Sequence, residues 1–425
     1  MTLRRIIPLF LAAVLTASAL AQELSADQKQ NVLKSLEETL TTRAFVPGVD
    51  FKKWGEYLLR RKDEVDQAKD ITSFTRTVNQ ALRDFGISHC RLQTPRSTAQ
   101  RGKTSIVGSG ILGTIEEKGI RVRRVFDGSP AKEAGIEEKD LVVKVNGDKP
   151  TKIDAVEGEK GSKFHLEIEK LDGSTKEIDV LLKEYSTVRK ESLTWQGDDT
   201  AVLRIYTFST GYDRENIETL IAEASKKAKY LILDLRSNGG GAINNLNHLL
   251  SLLLPEGTAY GVFVSRTVAE DYAKENPNGP MTPEAMAEWA PRKTKTRKQK
   301  ISSFTGKIAV LINRGSASAS EICAAALQET GNAKVIGTQS AGAVLSSVFR
   351  KLVEGFSIQY PVSDYVTTKG VRLEAHPIKP DFEVTAVRKD NEADPVVVRA
   401  VEILHGLGYV SHNQALTLST MVHFL

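Results

Sequence analysis

Beyond Ser192 the chain alternates short apolar runs with stretches of helical spacing, and few folds accept that pattern. The apolar runs are Ala201 to Ile205, Tyr230 to Asp234, Lys307 to Ile312 and Lys334 to Gly337. The stretches 213–228, 242–254 and 320–330 carry the helical period. Strands separated by helices imply βαβ units and a largely parallel sheet. Upstream the period changes twice. Residues 24–92 repeat apolar positions every three or four, as in Val32, Leu36 and Leu40 and again in Phe74, Val78, Leu82 and Phe85, until Gly86. From Ile106 to about Tyr185 short strands and turns follow one another. A chain of 425 residues exceeds one ordinary core, so a multi-domain α/β protein is expected. Its parts are a helical domain with linker over 22–105, a β domain over 106–188, an α/β core over 189–410 and a tail over 411–425. The polar stretch 94–105 reads as the linker. The Pro-, Gly- and charge-rich stretch 275–300 reads as a loop with a solvated basic end from Arg292 to Lys300.

The first 21 residues set the compartment. Arg4 and Arg5 precede an apolar run from Ile6 to Ala19, and Ala19-Leu20-Ala21 is a small-x-small cleavage site. The run is short for a membrane span, so a cleaved secretory signal is expected, with a periplasmic or secreted mature protein and no stable membrane span. The 58 Lys and Arg against 53 Asp and Glu form no basic stripe with interleaved aromatics, so nucleic acid is not an expected partner. Two cysteines, with no C-x-x-C pair, exclude a disulfide scaffold and a cysteine zinc site. No metal and no cofactor is expected.

Two segments carry chemistry. Gly315 to Ile322, GSASASEI, lies between an apolar strand and an alanine-rich helix. Small residues allow a sharp turn that exposes a hydroxyl at a helix start, where amides and the dipole stabilise an oxyanion. The same segment also reads as a plain helix cap, with Ser320 as N-cap and Glu321 in the first turn. Asp234 to Gly241, DLRSNGGG, ends another strand with three glycines that permit close backbone approach to a ligand.

Together these segments resemble peptidase family S41, which includes the C-terminal processing peptidases, at its nucleophile motif G-[ST]-A-S-A-S-E and its oxyanion motif D-L-R-x-N-x-G-G. Gly370 to Asp381 is similar to the family's closing G-x-x-P-D motif. The resemblance implies an α/β (crotonase-like ββα) catalytic core, with Ser318 as nucleophile and the amides of Ala319 and Gly240 as oxyanion hole. Gly240 is preferred to Gly239 because some family members carry Pro at the first glycine. The 106–188 stretch resembles a PDZ domain. Ser109 followed by Gly110, Ile111, Leu112 and Gly113 matches the loop that receives a peptide C-terminus, Ser129 to Ile136 its short helix and turn, and Asp140 to Gly147 the next strand and turn.

One departure stands out. The processing peptidases pair the serine with a lysine in a G-K-G turn, and that turn aligns with Gly342-Ala343-Val344, which puts Ala343 at the base position. Ser347 takes the place of the family's glutamine, and Lys351 lies a strand-length too far along. A serine needs a base, and histidine titrates in the useful range. Among seven histidines, His89 follows a helix and a glycine turn, directly after Ser88. Ser88-His89 resembles the Ser-His pair of tricorn-type enzymes in the same broader family. There such a histidine serves as base, oriented by that serine and by a glutamate of E-x-x-G-x-x-P-D. Glu374 falls on that glutamate's position, although Pro377 replaces the glycine. The resemblance thus implies Ser318, His89, Glu374 and Ser88 as the catalytic set; His376, two residues from Glu374, is the reserve base. If His89 and Ser318 meet, Cys90 and Cys323 come near enough to raise a disulfide as a possibility.

The expected function is a serine-type endopeptidase that works through an acyl-enzyme, with protein and peptide substrates taken by their C-terminal tails. The alternative is an inactive scaffold of the same fold that binds protein C-termini or an apolar ligand.

Overall fold

The computed structural model describes residues 23–386 and 392–407. The expected leader over 1–21 and the tail over 411–425 lie outside them. Two compact units emerge. The first holds the described residues up to Ala44, Asp50–Thr98 and Val348–Tyr360, and the second holds the rest.

The first unit is helical, as the three-and-four spacing predicts. Helix α1 (Ala26–Arg43) starts at Ser25, which exchanges hydrogen bonds with Gln28 in a capping box. Helices α2 (Trp54–Leu59) and α3 (Lys62–Gln67) lead to α4 (Ile71–Asp84), which buries Phe74, Val78, Ala81 and Leu82. The buried Lys29 ammonium donates to the carbonyls of Val65, Asp66 and Ala68, so the open end of α3 is capped by a charge that needs the same bonds. Asn79 on α4 holds both the N–H and the C=O of Leu92, which fastens strand β1 (Arg91–Gln93) to the helix. The 94–105 stretch is not a plain linker. It contains helix α5 (Pro95–Gln100), begun by Thr94 Oγ1 accepting from the Ser97 amide and by Pro95 at the first helical position.

The second unit opens with β2 (Ser105–Gly108) and continues into an antiparallel sheet in the order β3 (Ile111–Glu116), β4 (Gly119–Val125), β5 (Leu141–Val145), β6 (Lys163–Glu169), β7 (Thr175–Leu181). Helix α6 (Pro130–Glu133) follows β4, and the sheet closes over Ile120, Val122, Ile136, Leu166 and Ile168. Strand β8 (Lys183–Ser186) returns to pair with β2.

The larger sheet follows. Strands β9 (Ser192–Gln196) and β10 (Thr200–Arg204) form an antiparallel pair, helix α7 (Arg214–Lys227) leads to β11 (Tyr230–Asp234), and helix α8 (Ile243–Leu253) leads to β12 (Ala259–Ser265). Next come helices α9 (Arg266–Glu275) and α10 (Pro283–Trp289) and strand β13 (Thr294–Lys295). The 275–300 stretch is therefore partly ordered. Thr282 caps α10, Pro283 starts it, and Met286 and Ala287 pack against Val262 and Val264. Strand β14 (Lys307–Ile312), helix α11 (Ala319–Glu329), strands β15 (Ala333–Gly337), β16 (Ser346–Lys351), β17 (Ser357–Thr367) and β18 (Phe382–Glu383), and helix α12 (Pro395–His405) complete the chain.

Strands β18, β15, β14, β11 and β10 are parallel neighbours in that order, with β9 antiparallel at the edge. Alternate residues divide between two apolar layers. Leu203, Leu233, Val310 and Val335 face α7, α8 and α11, while Val202, Ile232, Ala309, Leu311 and Ile336 face Val396, Ala400 and Leu404 of α12. Coverage on both faces explains why these strands read as unbroken apolar runs. Arg236 ties the start of α12 to the sheet through Asp234 and Asp394. Among the described residues no helix is long and apolar enough to cross a membrane.

Candidate active site

The residues of interest sit on loops at the carboxyl ends of β11, β14 and β15, where a parallel sheet leaves room for a ligand. After β14 the chain turns through Asn313 to Ser318 into α11, and the loop after β11 runs beside it. The two are stitched together. Asn313 Oδ1 accepts from the amides of Ser237 (2.8 Å) and Gly315 (3.0 Å). Ser316 Oγ donates to Leu235 O (2.9 Å) and Ser320 Oγ to Asn238 O (2.8 Å). Ser316 and Ser320 are fully buried. Ser320 is thus no helix cap; the capping position falls on Ser318.

Ser318 differs from both. It is part-buried and holds φ 55° with ψ −118°, a backbone state that L-residues avoid. Strain of this kind persists only where the surroundings impose it, and a strand-to-helix turn of this shape thrusts the hydroxyl outward. The imposing group is Glu321. Its buried carboxylate accepts from the amides of Ser318 (3.0 Å), Gly342 (2.7 Å) and Ala343 (3.0 Å) and from Ser340 Oγ (2.5 Å). Burial pushes this carboxyl above its ordinary range, against those donors. Ser318 N also donates to Ala343 O at 2.9 Å. The turn expected to carry the lysine is therefore at the serine's backbone, and it presents a methyl group there.

Gly240 meets the serine, though through its Cα face. Its φ is 88°, and a Cβ placed there would stand 2.8 Å from Ser318 Cβ, 2.8 Å from Ala319 N and 2.7 Å from Ala317 O. Its N–H, expected to face an oxyanion, instead donates to Asn238 Oδ1 at 2.9 Å. The amides of Gly239 and Ala319 have no acceptor among the described residues. Gly240→Ala is expected to cost about 1–3 kcal/mol of stability from the positive φ and the collision together, and to lower turnover about a hundredfold or more by displacing Ser318. Thermal melts and hydrolysis rates check both.

Asn238 was part of the glycine motif but received no role from the sequence. It is fully buried, its Nδ2 donates to Ile205 O (3.0 Å), and its carbonyl receives Ala317 N (3.1 Å) and Ser320 Oγ. Burial and bonding emerge only when the three strands lie side by side.

Glu374 is 5% exposed, and its Oε2 accepts from Val344 N at 2.8 Å, one residue from Ala343. Its loop is held by Ala375 N donating to Gly342 O (2.9 Å) and by Arg372 Nε on the buried Asp364 (2.7 Å). Pro377, which replaces the family's glycine, lies against Gly342. His376 is exposed and its Nδ1 contacts Glu374 O at 2.9 Å. In the first unit, His89 has φ 57° and its Nδ1 lies 2.8 Å from Ser88 Oγ. Burial lowers the His89 pKa below its ordinary 6.5. Cys90 and Cys323 are buried free thiols, so no disulfide links them; burial pushes Cys90 up to about 12 and raises Cys323 further. No cluster of metal-ligating side chains occurs among the described residues.

A strained serine between a parallel strand and a helix, backed by a glycine loop from the neighbouring strand, defines a serine-hydrolase type of α/β core. Residues 199–384 match the model of peptidase family S41. Over 285 residues it is 28% identical to the carboxy-terminal processing protease CtpA of Bacillus subtilis (strain 168), a match covering 64% of this chain and 55% of that one. Over 336 residues it is 24% identical to CtpB of the same organism, covering 76% and 64%. The chain therefore spans little more than half the length of the first of these relatives. A crystal structure of a CPAF mutant shares the fold, with TM-score 0.52 and 14% identity over 90% of this chain and 99% of that one.

Proposed function

We propose that the protein is a serine endopeptidase that cleaves polypeptides through an acyl-enzyme on Ser318. The observation that carries this is the Ser318 backbone, held at positive φ while the flanking serines are buried and bonded. His89 acts as general base and then acid, with Ser88 and Glu374 orienting its ring, and the Ala319 and Gly239 amides receive the oxyanion. Ala343 supports this choice, because a methyl group accepts no proton. Burial that holds His89 neutral supports it further, since the base must be unprotonated to act. The leader expected over 1–21 supports work outside the cytoplasm.

The β3–β7 sheet serves as the tail-capturing domain. Strand β3 is a free sheet edge, and Leu112 (51% exposed) and Ile115 stand open along it. Gly110 packs so close to Ser129 that a Cβ would lie 2.1 Å from the Ser129 Cβ, which keeps the loop at 110–113 bare. A peptide end adding to such an edge is held by backbone bonds and an apolar pocket.

Ionisation of His89 sets the acid limb of kcat/KM. Because burial lowers its pKa, the neutral base persists as pH falls, and the midpoint is expected below 6.5. A pH profile on a substrate without titrating groups measures it; a profile with no acid limb contradicts His89 as the base. His89→Ala is expected to lose activity as fully as removal of the nucleophile, whereas a variant retaining full rate refutes the assignment. The second reading, an inactive binding scaffold, draws on the same Ala343, and equal cleavage by wild type and Ser318→Ala would establish it.

A further inference from the structure

Two arginines in the second unit are held on aromatic faces, with no ion pair among the described residues. Arg124 lies on β4 opposite Leu112 of β3, and its guanidinium stacks 4.4 Å over the Phe126 ring. Phe126 in turn donates its amide to Gly110 O at 3.0 Å, so this arginine stands beside the bare loop at 110–113. Arg189, from the chain entering the larger sheet, stacks 3.9 Å over Tyr206. Arg204 shares that ring at 5.2 Å, but it is already paired with Asp234. Among the described residues neither Arg124 nor Arg189 has an ion pair or a hydrogen-bond acceptor. Burial and the neighbouring Arg189 push the Arg124 pKa down, against the upward pull of Glu138, Asp127 and Tyr206. Stacking on aromatic faces leaves the N–H edges of both forks open.

We propose that Arg124 and Arg189 together receive a carboxylate of the substrate chain. Two like charges held near each other are unfavourable until an anion sits between them, and a carboxylate matches the planar fork of a guanidinium. Arg124 comes from β4 and Arg189 from the connection between β8 and β9, and the Phe126 ring under Arg124 lies 5.7 Å from that of Tyr185 on β8. Tyr206 is two residues from Phe208, whose amide donates to Gly240 O at 2.9 Å, so the same segment reaches the loop beside Ser318. A carboxylate bound here is read at the step from capture to cleavage. The inference rests on the tail-capturing reading of β3. The carboxylate belongs either to the chain terminus or to an Asp or Glu side chain near it.

The test uses the full chain carrying Ser318→Ala, so that bound peptide is not cut. Four labelled peptides with the same apolar end are titrated by fluorescence anisotropy: free acid or amide, each with or without one glutamate near the end. Arg124→Gln with Arg189→Gln in the same chain is expected to weaken binding about tenfold wherever the read carboxylate is present, and to leave the amidated peptide without glutamate unaffected. A loss confined to the free acids assigns the terminus; a loss following the glutamate assigns the side chain. Equal loss for all four peptides, or none for any, overturns the proposal, with unchanged circular dichroism showing that the variant is folded. Leu112→Asp separates the two readings. If it abolishes binding while the arginine variant does not, capture at β3 stands and the arginine site falls; if no peptide binds the unaltered surface, both fall.

Discussion

Ser318→Ala is expected to reduce cleavage of an unfolded protein substrate by about ten-thousand-fold or more while leaving the fold intact. The substitution removes one oxygen. The backbone bonds that hold the turn, Ser318 N to Ala343 O and to Glu321, are untouched, and alanine tolerates the same φ no worse than serine. The melting temperature should therefore move little, and a rate lost together with the fold would not support a nucleophile. Ser316→Ala and Ser320→Ala are the informative contrasts. Each hydroxyl donates to a buried carbonyl of the neighbouring loop, so their removal is expected to cost about 1–2 kcal/mol of stability and only part of the rate. Quantifying product by gel or mass spectrometry for all three variants separates the reacting serine from the two that hold the turn.

Glu321→Ala is expected to have the largest effect on stability, about 3–5 kcal/mol, read as a large drop in melting temperature. The carboxylate receives Ser318 N, Gly342 N, Ala343 N and Ser340 Oγ in a site closed to water. Its removal leaves buried donors facing a cavity, while Ser318 N keeps Ala343 O and Ser340 Oγ keeps its bond from Ile378 N. The turn that strains Ser318 loses its tether to the 340–343 loop, so turnover should fall as well. Glu321→Gln retains one acceptor oxygen and nearly the same shape, and is expected to recover a large part of the stability. If Glu321→Ala melts with wild type, the carboxylate does not impose the serine's conformation.

Much of this architecture was legible because apolar period survives in any environment. Strands Tyr230–Asp234 and Lys307–Ile312 and helices near 214–227, 243–253 and 319–329 fall where alternating runs and helical spacing put them. Helices α5 and α10 were missed although Thr94-Pro95 and Thr282-Pro283 both announce a helix start, because polar and charged composition outweighed a two-residue signal. The serine segment was legible for a related reason: small residues between an apolar strand and an alanine-rich helix mark a sharp turn in any context.

The sequence by itself determined the order of helical, antiparallel and parallel-sheet parts, the turn that bears Ser318 and the presence of alanine at 343. These depend on neighbours in the chain. Tertiary structure alone decided which of three serines is strained, that Gly240 approaches by its Cα while its amide is taken by Asn238, and that Glu321 gathers donors from two loops. It also set Arg124 and Arg189 on aromatic rings with no ion pair among the described residues. Burial and hydrogen-bond partnership belong to pairs of residues far apart in sequence, and local spacing carries no information about them.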